Sequence, residues 1–177
     1  NITGMHMRIS GQSILAGVAP QNIKDGKDPV VFQGLNPPGP EASIGYTFPA
    51  LLVDHAMRNP TVPPGFWRGV NLNQNAIYLE CFLDEVAHAT GQDPLAVRRK
   101  LMGSSPKHLA VLNAVARRAR WGQPQDPGHH LGIALQESFG SIVAQVAEVS
   151  VEGRNVRVHR VTCAIDCGFA VNPAGVI

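Results

Sequence analysis

The segment 63–75 holds the densest group of residues that could bind a ligand. Between a proline break and a predicted helix start it contains two aromatic residues, one arginine, two glycines and four side-chain amides. Glycine lets the backbone approach a ligand closely, backbone N–H groups at a helix entrance attract negative charge, and arginine offers paired donors to an oxyanion or phosphate. The segment therefore predicts an anion-binding loop, with one alternative. Glycine-rich loops are common, and the two aromatic side chains could instead fill the core.

A second candidate, 166–173, is a strand end that turns through Gly168 into a helix opened by Asn172–Pro173. Cys163 and Cys167 lie four residues apart beside it, but the chain has three cysteines and no second pair. A structural zinc site needs about four ligands, so the sequence predicts no metal site here.

The remaining polar residues do not predict a catalytic group. The seven histidines are dispersed, and His129 and His130 fall in a polar joint where solvated side chains are expected. Glu137 and Glu148 could be catalytic carboxylates, but exposed strand positions explain them equally well, and Glu80 is expected on a helix surface. The sequence contains no Gly-x-Ser-x-Gly segment and so gives no support for nucleophilic catalysis.

Three predicted helices follow the loop. The first spans 75–90, where apolar residues recur at helical spacing. Asp93 then supplies an N-cap for a helix over 94–102, and Ser105 opens a third helix that reaches Trp121. The apolar stripe of the first helix consists of Leu79, Phe82, Leu83, Val86 and Thr90.

A period-two pattern replaces the helical one further along the chain. It predicts a half-buried strand near 147–151, a hairpin turn at 152–155 and an antiparallel partner strand over 156–165 with a bulge near His159. The predicted apolar face consists of Ala147, Val149 and Val151.

These patterns together predict an α+β fold in three parts. Residues 1–64 form a Gly/Pro-rich strand and loop segment with its sharpest break at 37–40, and within it 51–56 is either a strand or a short helix. Residues 65–122 form the loop and the three-helix unit. Residues 123–177 form the antiparallel hairpin leading into a helix start.

Composition limits the class of protein. The chain has 177 residues, 44% of them hydrophobic and 16% charged, which is typical of a globular segment. A net charge of +2 without a basic patch predicts no nucleic-acid partner. The sequence lacks an apolar run of about 18 residues and a signal peptide. Because it begins at Asn1 and stops at Ile177 in what reads as a new element, we expect an internal piece of a longer protein.

Several motifs in order resemble the molybdopterin-binding large subunit of the xanthine dehydrogenase/aldehyde oxidase family. The resemblance covers most of the chain and is nearest to the isoquinoline 1-oxidoreductase beta-subunit and membrane-linked aldehyde dehydrogenase types. The motifs are Gly65-Phe66-Trp67-Arg68-Gly69, Gln74, Leu79-Glu80, Asp84-Glu85-Val86-Ala87, Gly91-Gln92-Asp93-Pro94, Arg98-Arg99-Lys100-Leu101, Asp166-Cys167-Gly168 and Asn172-Pro173.

The resemblance implies a molybdenum hydroxylase. Such an oxidoreductase hydroxylates an N-heterocycle or oxidises an aldehyde with oxygen from water. The implied cofactor is molybdenum-molybdopterin in its cytosine dinucleotide form. Iron–sulphur clusters are expected on a small partner subunit, with an onward electron acceptor such as cytochrome c. Relatives of this type are often periplasmic or membrane-associated.

The resemblance also assigns site residues. The backbone of Arg68 and Gly69 would lie beside the molybdenum or its pterin-dithiolene ligands, and Trp67 would help to wall the pocket. Gln74 matches a family glutamine but follows Asn73 where the family has proline, and 136–144 would be a loop that approaches the pterin.

The family's catalytic glutamate segment and upstream cofactor motifs do not occur in this sequence, so the isolated piece is expected to be inactive. Two alternatives remain. One is a non-catalytic binding or assembly module that kept the fold. The other is an unrelated α+β domain, which would bury the segment 67–71 away from any cleft.

Overall fold

The first third of the chain forms a small parallel sheet. The computed structural model describes residues 2–35 and 43–176, so the predicted break at 37–40 lies outside the described residues. Strand β1 (Met5–Gly11) pairs in parallel with β2 (Leu51–Met57), which settles the choice for 51–56 in favour of a strand. Parallel strands need a long crossover connection. This geometry explains the long, aperiodic Gly/Pro-rich stretch between them.

Part of that connection is ordered by side-chain capping. Helix α1 (Ile14–Val18) begins at Ser13, whose hydroxyl oxygen accepts a hydrogen bond from the Ala16 N–H at 3.0 Å. The same hydroxyl donates to the buried carboxylate of Asp28 at 2.7 Å. Short 3₁₀ turns follow at Pro20–Asn22 and Pro29–Phe32.

The three predicted helices are confirmed as α2 (Leu72–Ala89), α3 (Pro94–Leu101) and α4 (Pro106–Arg118). Asp93 caps α3 by accepting from the Ala96 N–H at 2.8 Å, as an Asp-Pro helix start predicts. Helix α2 begins three residues earlier than predicted. The apolar pattern did not indicate these residues because the first turn of the helix is polar. Helix α4 stops before Trp121, because Arg120 has a φ of 56°, which no α-helix accommodates.

The predicted faces of α2 are partly wrong. Leu79 and Leu83 are buried, but Phe82, placed on the apolar stripe, is 44% exposed. Glu80, predicted on the surface, is buried. The helical period alone did not reveal that the face of α2 carrying Glu80 packs against a buried arginine.

That arginine, Arg98 on α3, is fully buried and neutralises Glu80. Its Nε donates to Glu80 Oε2 at 2.9 Å and its Nη1 donates to Asp84 at 2.7 Å. The Tyr46 hydroxyl and the Leu135 N–H also donate to the Glu80 carboxylate, at 2.6 and 3.2 Å. Burial raises the pKa of Glu80, while Arg98 and the other donors oppose that rise. The network joins α2, α3 and two segments distant in the sequence.

The C-terminal end is a three-stranded antiparallel sheet in the order β3 (His129–Ser138), β4 (Ser141–Glu152) and β5 (Asn155–Asp166). The predicted hairpin is confirmed, with Glu152 opposite Asn155 at its turn. The predicted bulge is confirmed as well, because Glu148 lies opposite Arg160 and Val149 opposite Val158. His159 is therefore the extra residue.

Two expectations for this end of the chain need correction. The polar joint before the sheet ends earlier than predicted, because β3 already begins at His129. In β3, the buried residues Ile133 and Leu135 alternate with small residues instead of polar ones. The apolar face predicted for β4 is also wrong, since its buried residues are Ile142, Ala144 and Val146. Large apolar side chains on the opposite face of β4 and β5 stay exposed: Val151, Val156, Val158, Val161 and Ile165.

The core draws on all three parts of the sequence. One cluster of buried apolar residues includes Tyr46 from the first part, Leu112 from the helical unit and Val146 from the sheet. The predicted helix after Asn172 is a short 3₁₀ turn at Pro173–Gly175. Within the described residues, every helix is too short or too polar to cross a lipid bilayer.

Replacing Arg98 with methionine should lower the free energy of unfolding by about 3–5 kcal/mol, because the Glu80 carboxylate would then be buried without its ion-pair partner. Chemical denaturation measures the loss. Arg118→Ala, at an exposed position of α4, is the matched control and should change stability by about 0.5 kcal/mol or less. Equal losses in the two variants would contradict the assigned role of the network.

Candidate functional site

The predicted loop ends in two tight turns at the entrance of α2. The Val70 N–H donates to the Trp67 carbonyl at 2.9 Å, and the Leu72 N–H donates to the Gly69 carbonyl at 2.9 Å. Gly69 has a φ of 78° and Val70 a φ of 47°. A β-branched residue in the left-handed region is strained, and such strain is concentrated at ligand sites.

Gly69 is required for close packing as well as for its backbone angle. A Cβ added at Gly69 would clash with the side chain of Asn73. The Asn73 amide in turn donates to the Arg68 carbonyl at 2.7 Å, which holds the turn against the first turn of α2. Loop and helix entrance therefore form one rigid unit.

A cleft of about 630 Å³ opens between this unit and β1. Its walls are residues of β1 and the following turn on one side, and the loop with the first turn of α2 on the other. Trp67 and Gln74 line the cleft, with Trp67 77% exposed. The alternative in which the aromatic residues fill the core is wrong, because Phe66 and Trp67 are both exposed.

The polar lining of the cleft is mainly neutral. The neutral hydrogen-bonding side chains in the lining are Ser10, Gln12, Trp67, Asn71, Asn73, Gln74, Asn75 and Tyr78. Arg68 is exposed and lies outside the lining, so its guanidinium faces solvent beside the cleft. The structure therefore places Trp67 and Gln74 at the cleft, Gly69 in the turn that supports it, and Arg68 at its margin.

Two amide side chains at the cleft each have one buried atom without a hydrogen-bond partner. Gln74 donates to Asn71 Oδ1 at 2.6 Å, but the Asn71 Nδ2 group has no hydrogen-bond partner. Asn75 donates to the carbonyls of Val31 and Gln33, and its Oδ1 has no partner. Buried polar groups are normally satisfied. The Asn71 Nδ2 and Asn75 Oδ1 atoms are thus buried beneath the cleft surface with unused hydrogen-bonding capacity. The entrance of α2 has no side-chain cap.

Arg8, which the sequence did not suggest, is the one charged residue among the described cleft-lining residues. Its Nε and Nη2 donate to the two carboxylate oxygens of Asp54 on β2, at 2.6 and 2.8 Å. These hydrogen bonds hold the pKa of Asp54 well below its usual range. The pairing of β1 with β2 creates this contact between residues 46 positions apart, so no local pattern could have indicated it.

The remaining candidates lie outside the cleft lining. The expectation of a loop at 136–144 is wrong. This stretch consists of the end of β3, a two-residue turn and the start of β4. The segment 166–173 has Phe169 90% exposed to solvent.

Glu137 is half-buried and contacts Ser43 and His108 at 2.6 and 2.9 Å. Its carboxylate lies between the hydroxyl and the imidazole, whereas in a catalytic triad the histidine itself contacts the serine.

Three curated relatives resemble the chain. One of them, a nicotinate dehydrogenase subunit from Pseudomonas putida, is 35% identical over 136 residues, which cover 66% of this chain and 11% of that protein. Isoquinoline 1-oxidoreductase subunit beta of Brevundimonas diminuta is 26% identical over 179 aligned positions, 97% of this chain and 22% of that protein. The membrane-bound aldehyde dehydrogenase [pyrroloquinoline-quinone] of Gluconacetobacter polyoxogenes is 28% identical over 145 residues, 68% of this chain and 19% of that protein.

All three relatives are named as oxidoreductases. The chain is similar to oxidoreductase subunits. It spans 11 to 22% of the length of these relatives. No protein-family model and no solved structure matches it.

Replacing Gly69 with alanine should lower the free energy of unfolding by about 1 kcal/mol or more, because the φ is positive and the new Cβ meets Asn73. Gly65→Ala is the matched control, since a Cβ there meets nothing within 4 Å. Thermal unfolding of both variants measures the difference. A loop that tolerates both substitutions equally would not be the rigid unit described.

The Arg8–Asp54 pair predicts a specific acid sensitivity. When folding lowers the pKa of a carboxyl group, that group stabilises the folded protein at pH values above its pKa in the unfolded chain, which is about 4. This stabilisation is lost as the pH falls below that value. Asp54→Asn should therefore flatten the decline of unfolding free energy on acidification, measured by denaturation at a series of pH values. Asp25→Asn, on an exposed turn, controls for the loss of one carboxylate. Identical acid profiles for the two variants would contradict the prediction.

Proposed function

We propose that this chain is a segment of the molybdenum-cofactor-binding subunit of an oxidoreductase. The observation that carries the proposal is the position of the Gly65–Gly69 motif, which opens onto a polar cleft at the uncapped entrance of α2. The resemblance of several ordered motifs to molybdenum hydroxylases supports the proposal, as does the similarity to three oxidoreductases. The unrelated-domain alternative is disfavoured, because it requires this loop to be buried.

The cleft has the chemistry expected of a pterin site. A pterin is a flat heterocycle whose edge carries alternating hydrogen-bond donors and acceptors. The lining offers neutral amides, and the unpartnered Asn71 Nδ2 donor and Asn75 Oδ1 acceptor lie buried just behind it. Trp67 supplies an aromatic wall. These groups suit a planar polar ligand better than a strongly charged one.

Each residue of the loop would have a distinct role. The turn at Gly69 would hold the loop backbone against the cofactor, because Trp67 and Val70 to either side of it line the cleft. The exposed guanidinium of Arg68 would bind an anionic group of the cofactor at the margin of the cleft. Trp67 would restrict access of water, and Gln74 would hold Asn71 in place through their 2.6 Å hydrogen bond. When bound, the cofactor supplies oxygen transfer from water with two electrons passing to the metal.

The remaining parts of the proposal come from the resemblance. The substrate would be an N-heterocycle or an aldehyde, and the cofactor would carry a cytosine dinucleotide. A small subunit would hold the iron–sulphur clusters, with an acceptor such as cytochrome c beyond it. Because this chain spans 11 to 22% of its relatives, the catalytic base would come from other segments of the full-length protein.

The decisive experiment uses the full-length polypeptide that contains this segment, co-expressed with its small subunit. We expect bound molybdenum and dye-linked oxidation of an aldehyde or an N-heterocycle. Arg68→Ala should lower molybdenum content or turnover by about tenfold or more, as loss of a supporting contact to a metal group typically does. Arg154→Ala, at the exposed β4–β5 turn, is the matched control and should retain activity.

Two outcomes would overturn the proposal. A folded complex with neither molybdenum nor turnover would favour a non-catalytic assembly module. An active complex that contains pyrroloquinoline quinone and no molybdenum would assign the cleft to a different cofactor. Metal analysis and mass spectrometry of the extracted cofactor distinguish these results.

A further inference from the structure

A second group of ligating side chains lies at the beginning of β3, away from the cleft. Asp126, His129 and Glu148 each present one ligand atom, and these three atoms lie within 4.8 Å of one another. None of the three lines the cleft at the α2 entrance. The group combines an imidazole with two carboxylates from a turn and two strands, so it is more than an acidic patch.

The chain builds this group through local geometry at both ends. Asp126-Pro127-Gly128-His129 forms a tight turn in which the His129 N–H donates to the Asp126 carbonyl at 3.0 Å, with Gly128 at a φ of 78°. The turn therefore places Asp126 beside the first residue of β3. Glu148 on β4 lies opposite Leu131 on β3. Glu148 is therefore the diagonal neighbour of His129, on the same face of the sheet.

Two further residues fix the orientation of the group. His129 Nδ1 lies 2.7 Å from Glu148 Oε1, while Arg160 Nη2 holds the other oxygen, Oε2, at 3.0 Å. The His129 ring stacks on the His159 ring with 3.8 Å between their centroids and 20° between their planes. His159 occupies this position because it is the extra residue of the β5 bulge. Residues that hold ligating side chains in place in this way are typical of the outer shell of a metal site.

We propose that Asp126, His129 and Glu148 form a binding site for a divalent transition-metal ion, of which Zn²⁺ suits the ligands best. Imidazole and carboxylate are ordinary zinc ligands, each about 2.0–2.2 Å from the metal. Two such ligands on one ion lie about 3 Å apart, close to the present separation of His129 Nδ1 and Glu148 Oε1. The ion replaces the hydrogen bond between them, and water completes its coordination.

Bound Zn²⁺ would join the turn before β3 to the middle of β4. It binds the folded chain and not the unfolded one, so it raises the unfolding temperature. This proposal does not depend on the proposed cofactor site, because the two sites share no residue. Failure of either one leaves the other intact.

Titration of the tag-free, chelator-treated chain with Co²⁺ and Zn²⁺ tests the site. We expect saturable 1:1 binding, visible as Co²⁺ d–d absorption that Zn²⁺ displaces. His129→Ala and Glu148→Gln should weaken binding by about tenfold or more. His130→Ala is the matched control, since His130 is the next residue of β3, points to the other face and is exposed.

Asp126→Asn keeps the test decisive if the other variants unfold, because Asp126 is exposed on a turn and its loss should leave the fold intact. Circular dichroism checks that each variant is folded. Weaker binding in folded Asp126→Asn supports the site. The absence of saturable binding, or equal affinity in Asp126→Asn, His130→Ala and the unchanged chain, overturns it and identifies the group as an ion-pair network.

Discussion

The buried ion pair of Arg98 and Glu80 holds the helical unit, the first part of the chain and the C-terminal sheet together. A charge removed from water is tolerated when it is paired and fully hydrogen-bonded. Glu80 receives donors from α3, from Tyr46 and from the backbone of β3, so a single carboxylate fixes how the helices meet the sheet. Helix α2 is thereby held in place, and its entrance forms one wall of the cleft.

The same helix explains why a strained turn persists at its start. Val70 is held at a φ of 47° between two turn hydrogen bonds, and Asn75 one turn later is tied to the carbonyls of Val31 and Gln33. These contacts over-determine the backbone at the loop. A rigid loop beside an uncapped helix entrance suits a pre-organised ligand site.

The sheet behaves differently on its two faces. Ile142, Ala144 and Val146 pack on the helices, whereas the opposite face of β4 and β5 leaves large apolar side chains in solvent. Apolar surface of this kind is normally covered in a folded protein. Since the chain spans 11 to 22% of its relatives, coverage by other segments of a longer polypeptide is consistent with the proposed function.

Features that depend on neighbours along the chain could be predicted from the sequence. The Asp93–Pro94 helix start, the three helices, the turn near Gly153 and the bulge at His159 follow from capping, backbone preference and short-range period. Tertiary structure alone decided that Glu80 is buried, that Arg8 pairs with Asp54, and that the loop faces β1 across a cleft. These features join residues tens of positions apart, and a local pattern carries no information about which distant partner will neutralise a charge or leave an amide unpaired.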